Sequence, residues 1–370
     1  MDQFLMSRYD AIFDSQTAAG QVLAQEIRNI ERTIASAGDQ AGLLRATDTI
    51  ARLVHRVLEQ AVAAEPMTRL ISTLNDALTK RIIEQMSADT ALGALRWCWI
   101  SLGSEGRQEQ TLSSDQDNGI IFANDGPGGV LRDRLLPLAR RINAALDACG
   151  FPLCTGQIMA SNPEWCLSLH EWRDKFSNWV LEGDPQALLN ASIFFDLRPL
   201  HGSMRLAFEL TSWLALDAST NSRFLFQMAA NAQRRHVPLS MLHRFVVEKN
   251  GEHAGTIDLK VNAATLFVDA ARIYGLACGI HASNTADRLR LAAASHRLHP
   301  DDVERWINAF YFIQMLRLKN QQRSYVGGTA MHNHIDPNRL DKADRQALFD
   351  ALLQARSLQN RLALDYPGSK

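Results

Sequence analysis

Apolar residues recur every three or four positions from about residue 15 to residue 89, with charged residues between them. This is the period of a helix that buries one face. The clearest examples are Ile30, Ile34, Ile50, Val54 and Val57. Turn-forming residues interrupt the pattern at Ala37-Gly38-Asp39 and at Glu65-Pro66. The pattern therefore predicts three helices of about twenty residues each, which we interpret as a scaffold.

Short apolar runs replace the helical period near residue 94, and such runs are typical of buried strands. They occur in LRWCWISLGS (95–104), GIIFAND (119–125) and FPLCTGQIM (151–159). The polar connection after the first run is expected to be helical, and residues 131–149 again show a helical period. Strand, polar connection, strand, helix and strand in this order predict a small mixed sheet covered by helices.

Helical periods return after residue 162 and continue to the end of the chain, with turn-forming breaks between them. Trp165, Trp172, Phe176 and Trp179 fall on one helical face, which favours core packing over a ligand cage. We therefore predict an α+β fold. Its parts are an N-terminal helical region (1–93), a small mixed-sheet domain (94–220) and an all-helical C-terminal region (221–370).

The composition of the chain argues against several classes of protein. The net charge is −1, from 39 Lys and Arg against 40 Asp and Glu, and this balance argues against a nucleic-acid partner. The five cysteines are scattered without a C-x-x-C pair, which favours a reducing compartment over a disulfide framework or a zinc site. No apolar run is long enough to span a membrane, and the N-terminus lacks a signal-peptide pattern. We expect a cytoplasmic protein with no membrane partner.

Two aspartates, Asp115 and Asp117, stand immediately before the second apolar run. Alternate side chains of a strand share a face, so the two carboxylates are expected to lie together, with Gln116 pointing to the other side. Like charges at that separation are unfavourable unless a cation lies between them, and hard oxygen ligands suit Mg²⁺. The pair therefore indicates a site for Mg²⁺ or Mn²⁺.

A phosphate-binding element is expected nearby, because Mg²⁺ usually takes some of its ligands from substrate phosphates. Gly103 and Ser104 end the first predicted strand, where glycine permits close backbone approach and free amides can face an anion. Ser104 and Arg107 add side-chain donors. An ordinary turn is the alternative interpretation. The position of the Asp pair ten residues after Gly-Ser favours the phosphate site.

The sequence Gly-Ser, a ten-residue spacer and D-x-D resembles the signature of the nucleotidyltransferase superfamily typified by DNA polymerase beta. The longer run GSEGRQEQTLSSDQDN (103–118) is similar to the catalytic domain of bacterial PII-protein uridylyltransferase. It is closer still to the nucleotidyltransferase-like proteins often fused to CBS and cyclic-nucleotide-binding modules, which are absent from this chain. The similarity extends through MASNPEW (159–165), FFDLRPLHG (194–202), GTIDLK (255–260) and NTADRL (284–289).

This resemblance implies that Gly103 and Ser104 hold a triphosphate and that Asp115 and Asp117 hold the catalytic metals. It implies also that Arg107 and Glu109 order the loop between them, and that the C-terminal helices bind the substrate. The function implied is Mg²⁺-dependent transfer of a nucleoside monophosphate, here UMP, from an NTP to an acceptor such as a protein hydroxyl. Pyrophosphate is released, and the setting is signal transduction.

One position departs from the superfamily, which supplies a third carboxylate from the strand predicted at 151–159. That segment contains no Asp or Glu, and Cys154 stands where the PII uridylyltransferases have glutamate. A neutral thiol is a poor base and a poor Mg²⁺ ligand. Asp196 is the candidate replacement, although it could instead pair with Arg198 or with a neighbouring helix. A second hypothesis therefore stays open: a nucleotide-binding regulatory protein on the same fold, without turnover.

Charged residues of the C-terminal region are the remaining candidates. Asp258 and Lys260 in GTIDLK, and Arg317 farther along, could supply charge to a nucleotide pocket. Ion pairing and solvated helix faces are the alternatives. We expect this region to bind the acceptor and to close over the nucleotide.

Overall fold

The computed structural model describes residues 18–60, 62–90, 92, 95–123, 128–183, 188, 192–242 and 244–367. The chain forms two compact units. The first comprises the residues up to His170 together with Arg198–Ala207, and the second comprises Glu171–Leu197 and the residues from Phe208 onward. The domain boundaries predicted at residues 94 and 221 stay a prediction.

Three helices open the first unit: α1 (Ala18–Ser36), α2 (Gln40–Glu59) and α3 (Ala64–Ser87). They confirm the three helices predicted from the apolar period. Asp39 caps α2, its carboxylate accepting the Gly42 amide at 2.8 Å. The second break lies before Ala64, and Pro66 falls in the first turn of α3, where a proline costs no helical hydrogen bond.

A four-stranded mixed sheet follows. It consists of β1 (Trp97–Ser101), β2 (Asn118–Phe122), β3 (Cys166–Ser168) and β4 (Arg198–Gly202) in the order β3-β2-β1-β4. β1 pairs antiparallel with β2 and β4, and β2 pairs parallel with β3. The one-turn helix α4 (Gly103–Gly106) follows β1, and α5 (Gly128–Ala148) follows β2. Every residue of β1 and β2 is buried, and the α+β prediction is confirmed.

The strand predicted at 151–159 is wrong, because this segment has no strand structure. Pro152 has no amide to donate to a ladder, and a turn from Cys154 to Gln157 interrupts the run. Only isolated contacts remain: the amides of Gln116 and Asn118 donate to the carbonyls of Pro152 and Ile158 at 3.0 and 3.1 Å. The third and fourth strands are β3 and β4, neither of which was predicted.

The second unit is mainly helical. Its helices are α6 (Leu169–Glu182), α7 (Met204–Thr220), α8 (Ser222–Gln233), α9 (Thr265–Ala277), α10 (Thr285–Ala294), α11 (Pro300–Val326) and α12 (Lys342–Asp365), the first residues of α6 and α7 being part of the first unit. Two short strands, β5 (Ile257–Asp258) and β6 (His334–Ile335), pair antiparallel. The prediction of a purely helical region beyond residue 220 is therefore wrong at this pair.

An aromatic cluster forms part of the core of the second unit. Trp172 and Phe176 on α6 are fully buried, and Phe176 meets Trp179 edge to face, with centroids 5.2 Å apart. Phe195 joins the cluster at 5.4 Å from Phe176. These contacts confirm the core interpretation of the stripe. Trp165 was wrongly included, because it precedes α6 and its indole donates to a loop carbonyl.

No helix in the described part of the chain is both long and apolar enough to cross a membrane.

Candidate active site

The candidate site lies at the end of the β1–β2 ladder. Ser101 faces Asn118 in the ladder, and the next main-chain bond runs from the Leu102 amide to the Asp117 carbonyl, at 2.8 Å. Asp117 therefore lies directly across from the residue that precedes Gly103. This pairing brings the two parts of the sequence motif together, although Gly103 and Asp117 are fourteen positions apart along the chain.

The turn at Gly103 requires glycine. Gly103 adopts φ 55°, in the left-handed region that favours glycine, and it begins α4. The amides of Gly103 and Ser104 stand at the N-terminal end of this turn, where a helix has no internal acceptors for them. The turn is closed by the Arg107 amide donating to the Gly103 carbonyl at 3.0 Å, and by the Glu109 amide donating to the Ser104 carbonyl at 2.9 Å. A preformed, amide-lined turn of this kind can receive phosphate oxygens.

Arg107 and Glu109 form an ion pair inside the loop. The Arg107 Nε donates to Glu109 Oε2 at 2.8 Å, and the Glu109 side chain is only 1% exposed. Gln108, between them, has φ 56°, a left-handed conformation that is uncommon for a residue other than glycine. The pair and the unusual backbone indicate a loop held in one conformation, and the part of both residues in nucleotide binding stays a prediction.

Asp115, Gln116 and Asp117 alternate in exposure as predicted, although they lie just before β2 rather than in it. Asp115 is exposed, Gln116 is buried and Asp117 is half-buried. The Gln116 amide group donates to the carbonyls of Asn143 and Phe151, at 3.0 and 2.8 Å. Gln116 is therefore anchored on the inner side, and both aspartates are more exposed than it is.

Cys154 lies against Asp117. Burial raises the pKa of the Cys154 thiol, and the charge of Asp117 raises it further. The thiol is therefore neutral at physiological pH. The loop at 151–159 thus brings Cys154 beside the second aspartate, even though it is not the strand that the sequence predicted.

Arg198 holds the turn from the edge strand β4. Its Nη2 donates to Asp76 Oδ1 at 2.8 Å and to the Glu105 carbonyl at 3.1 Å, and its Nε donates to the Gly106 carbonyl at 3.2 Å. Arg198 was a candidate from the sequence, whereas Asp76 was not. The carboxylate of Asp76 comes from α3, one of the helices interpreted as a scaffold.

A second contact connects α3 to the same loop. The Ser72 hydroxyl accepts the Gln110 amide at 3.2 Å, and the Asn75 amide group donates to Gln110 Oε1 at 3.3 Å. Nothing in the sequence distinguishes Ser72, Asn75 and Asp76 from the other polar residues of this amphipathic helix. The scaffold interpretation is therefore incomplete, since α3 also positions the loop.

Glu105 is an additional buried acid that the sequence did not single out. Burial raises its pKa to about 8, the Ser101 hydroxyl partly offsets this rise by donating to it at 2.7 Å, and the charges of Asp76 and Asp117 add to the rise. The pKa of Glu105 thus lies close to neutral pH.

Asp196, the candidate third acid, lies in the second unit and is fully buried. Arg272 donates to both of its carboxylate oxygens, at 3.1 and 2.7 Å, and Arg288 donates to Oδ1 at 2.5 Å. The sequence left open whether Asp196 pairs with Arg198 or with a neighbouring helix. Its partners lie on the neighbouring helices α9 and α10, and Arg198 is not one of them. These contacts favour a structural role for Asp196.

The other candidates of the second unit make local contacts. Asp258 Oδ1 accepts the amides of Lys260 and Val261, at 2.8 and 3.0 Å, and so caps the turn that follows β5. Lys260 is exposed. Arg317 is buried and donates to Asn333 Oδ1 at 3.0 Å. Their part in binding a nucleotide stays a prediction.

Asp115 and Asp117 offer carboxylate oxygens, which are suitable ligands for a divalent metal ion. Among the described residues, no group of three or more His, Cys, Asp or Glu side chains is arranged to hold a metal ion. Mg²⁺ needs only one or two carboxylates when phosphates and water complete its shell. Asp115 and Asp117 therefore fit Mg²⁺ that arrives with a triphosphate, and they do not fit a site made by protein ligands alone.

Comparison with protein families matches both halves of the chain. Residues 48–186 match the family described as "Putative nucleotidyltransferase DUF294", and residues 222–366 match its companion, "Putative nucleotidyltransferase substrate binding domain". No curated protein matches the chain. The first match contains the Gly103 turn and both aspartates, and it begins within α2. The two models together match most of the chain, which therefore belongs to the DUF294 family, described as "Putative nucleotidyltransferase".

Proposed function

We propose that this protein transfers a nucleoside monophosphate from an Mg²⁺-bound NTP to an acceptor hydroxyl. The acceptor oxygen forms a bond to the α-phosphorus and loses its proton, and the bond from that phosphorus to the bridging oxygen breaks to release pyrophosphate. The observation that carries the proposal is the Leu102–Asp117 main-chain pairing, which aligns the Asp pair with the Gly103 turn.

In this proposal the turn and the aspartates have separate tasks. The amides of Gly103 and Ser104, with the Ser104 hydroxyl, bind triphosphate oxygens. Asp115 and Asp117 hold the metal, and the Arg107–Glu109 pair keeps the loop in position. When bound, Mg²⁺ supplies stabilisation of charge on the leaving phosphates and acidifies the acceptor hydroxyl. Arg198 and Asp76 fix the turn from outside, so that the donors are preorganised.

The test is transfer of label to protein. The full chain is incubated with each α-labelled NTP, Mg²⁺ or Mn²⁺, and a host-cell extract. We expect a labelled band with the wild type and none with Asp115→Asn or Asp117→Asn. Asp133→Asn, which changes an exposed aspartate on α5, is the matched control and should label normally. Wild-type labelling by either variant of the Asp pair would disprove the assignment.

A second candidate function is supported by Cys154. Because a neutral thiol stands beside Asp117 where a third acid is expected, the protein could bind Mg-NTP without turning it over, as a regulatory protein. In the same experiment this alternative gives saturable NTP binding with no labelled band under any condition.

The finer parts of the proposal rest on resemblance. UMP transfer, a protein acceptor and a role in signalling follow from the similarity to PII-protein uridylyltransferase. Preferential competition by ATP or GTP over UTP would argue against UMP. We propose a cytoplasmic location, which is supported by the free thiols of all five cysteines.

A further inference from the structure

A cavity of about 540 Å³ lies in the second unit, lined by Arg244, Phe245 and Val247, by the turn after β6 and by the first turns of α12. Hydrogen bonds fix its walls. Arg356 on α12 donates to the Leu239 carbonyl at 2.7 Å, and the Asp336 carboxylate accepts the Asn338 amide at 2.9 Å. The volume falls in the range of small-molecule sites, about 300–1,000 Å³.

The charge of this cavity is of one sign. Arg244, Lys342 and Arg345 line it, and no lining residue carries a carboxylate. None of the three side chains forms an ion pair with any residue that the structure describes. Neighbouring cations repel one another and gain from a shared counter-ion. The cavity is therefore suited to an anion with several oxygens, such as a phosphate chain.

Aromatic rings form the apolar part of the cavity. Phe245 and Phe349 meet edge to face, with centroids 6.2 Å apart, and the Arg345 guanidinium lies 5.9 Å from the Phe245 ring centre. Both rings are half-buried. Asn338 and Gln346 add amide groups that both donate and accept. A nucleobase stacks on aromatic and guanidinium groups and hydrogen-bonds through its edge to amides.

We propose that this cavity binds a nucleotide, with phosphates on Arg244, Lys342 and Arg345 and the base against Phe245 and Phe349. The site is separate from the triphosphate site proposed at Gly103, since all of its lining residues belong to the second unit. It needs no metal, because three side-chain cations neutralise the phosphates. With no acid to hold a metal for catalysis, it retains the nucleotide without chemical change, as a regulatory site would.

Binding in the absence of metal tests the proposal. Equilibrium dialysis of the full chain with labelled ATP and GTP in excess EDTA should show saturable binding. The Asp115→Asn/Asp117→Asn variant should bind equally well, which separates this site from the proposed transfer site. Lys342→Gln/Arg345→Gln should weaken binding at least about tenfold. The matched control is Lys319→Gln/Arg223→Gln, which removes two exposed cations of the same unit outside the cavity.

Competing ligands and one further variant identify the class of ligand that the cavity binds. Nucleotides should bind more tightly than inorganic tripolyphosphate, and Phe349→Leu should reduce that difference. Equal binding of tripolyphosphate overturns the base-binding part of the proposal. Stronger competition by poly-glutamate overturns it in favour of an acidic protein segment. Absence of saturable binding at millimolar nucleotide, or binding unchanged in Lys342→Gln/Arg345→Gln, overturns the site itself. A failure of transfer at Asp115 and Asp117 leaves all of these results unaffected.

Discussion

Cys154 lies beside Asp117, one of the two acids proposed to hold Mg²⁺, and the charge of this aspartate adds to burial in raising the pKa of the Cys154 thiol. A neutral group therefore stands where the resemblance to the PII uridylyltransferases implies a third carboxylate. The two functional hypotheses differ at this point. Transfer requires that Asp115 and Asp117 suffice for catalysis, whereas the regulatory alternative holds that they do not.

Cys154→Asp should introduce that third acid. We expect Mg²⁺ to activate transfer at a concentration about tenfold lower, equivalent to about 1.4 kcal/mol, because another anionic oxygen lies beside Asp117. Cys154→Ser, which stays neutral, should leave the Mg²⁺ dependence unchanged. The measurement is a titration of initial rate against Mg²⁺. Identical curves for the wild type and Cys154→Asp would mean that position 154 does not face the metal.

Glu109→Gln should weaken NTP binding more than it slows turnover. The change removes the partner charge of Arg107 inside a loop where Glu109 is almost completely buried, and a buried charge without its partner costs about 1–3 kcal/mol. We expect KM for NTP to rise about tenfold while kcat changes less. Steady-state kinetics with Asp133→Asn as control would measure this. A change confined to kcat would contradict the positioning role.

Arg272→Met should destabilise the second unit, because Asp196 would keep its buried charge with one partner fewer. Breaking a buried ion pair from one side costs about 3–5 kcal/mol. The additional change Asp196→Asn should recover part of this loss, since it removes the charge left behind. Thermal unfolding measures both variants, with Arg223→Met as an exposed control. A fall in Tm no larger than that of the control would rule out a structural role for the pair.

Glu105→Gln should flatten the dependence of stability on pH. The pKa of Glu105 is raised by folding from 4.5 to about 8, so its protonated form is favoured in the native state. The stability that protonated Glu105 contributes is fully present at pH values below the unfolded pKa, and it is lost as the pH rises through the folded pKa. Metal-free wild type should therefore lose more stability than Glu105→Gln between about pH 5 and pH 9, and each pKa unit represents about 1.4 kcal/mol. Parallel melting curves across this range would contradict the assignment.

Local patterns predicted the parts of the fold that depend on neighbouring residues. The helical period identified α1 to α3, and the spacing of Gly103 and Asp117 identified a pair of residues that the β1–β2 ladder brings together. At 151–159 the apolar run predicts a strand that does not form, because Pro152 has no amide to donate and a turn follows at Cys154. The strand β4 was missed because its sequence, RPLHG, combines proline with polar residues.

Contacts between distant residues could not be predicted in this way. Asp76 and Arg198 are 122 positions apart, and nothing in the sequence of α3 or β4 indicates that they meet. Asp196 illustrates the same limit, since its position in FFDLR is compatible with several partners. A chain that ends at Thr220 would lose both Arg272 and Arg288, the two arginines that pair with the Asp196 carboxylate. Point variants are the better test of the C-terminal region.

The first unit is assembled from two separated stretches of chain, and this has a consequence for its biosynthesis. Domains usually begin to fold while the ribosome is still extending them, from the N-terminus onward. When His170 has just been added to the growing chain, β1, β2, β3 and both aspartates have been made, but β4 and Arg198 have not. The guanidinium that holds the carbonyls of the Gly103 turn arrives only after residues 171–197. A nascent chain therefore contains every proposed metal and phosphate ligand before it can hold the turn in place, and we infer that nucleotide binding begins only after β4 has been synthesised.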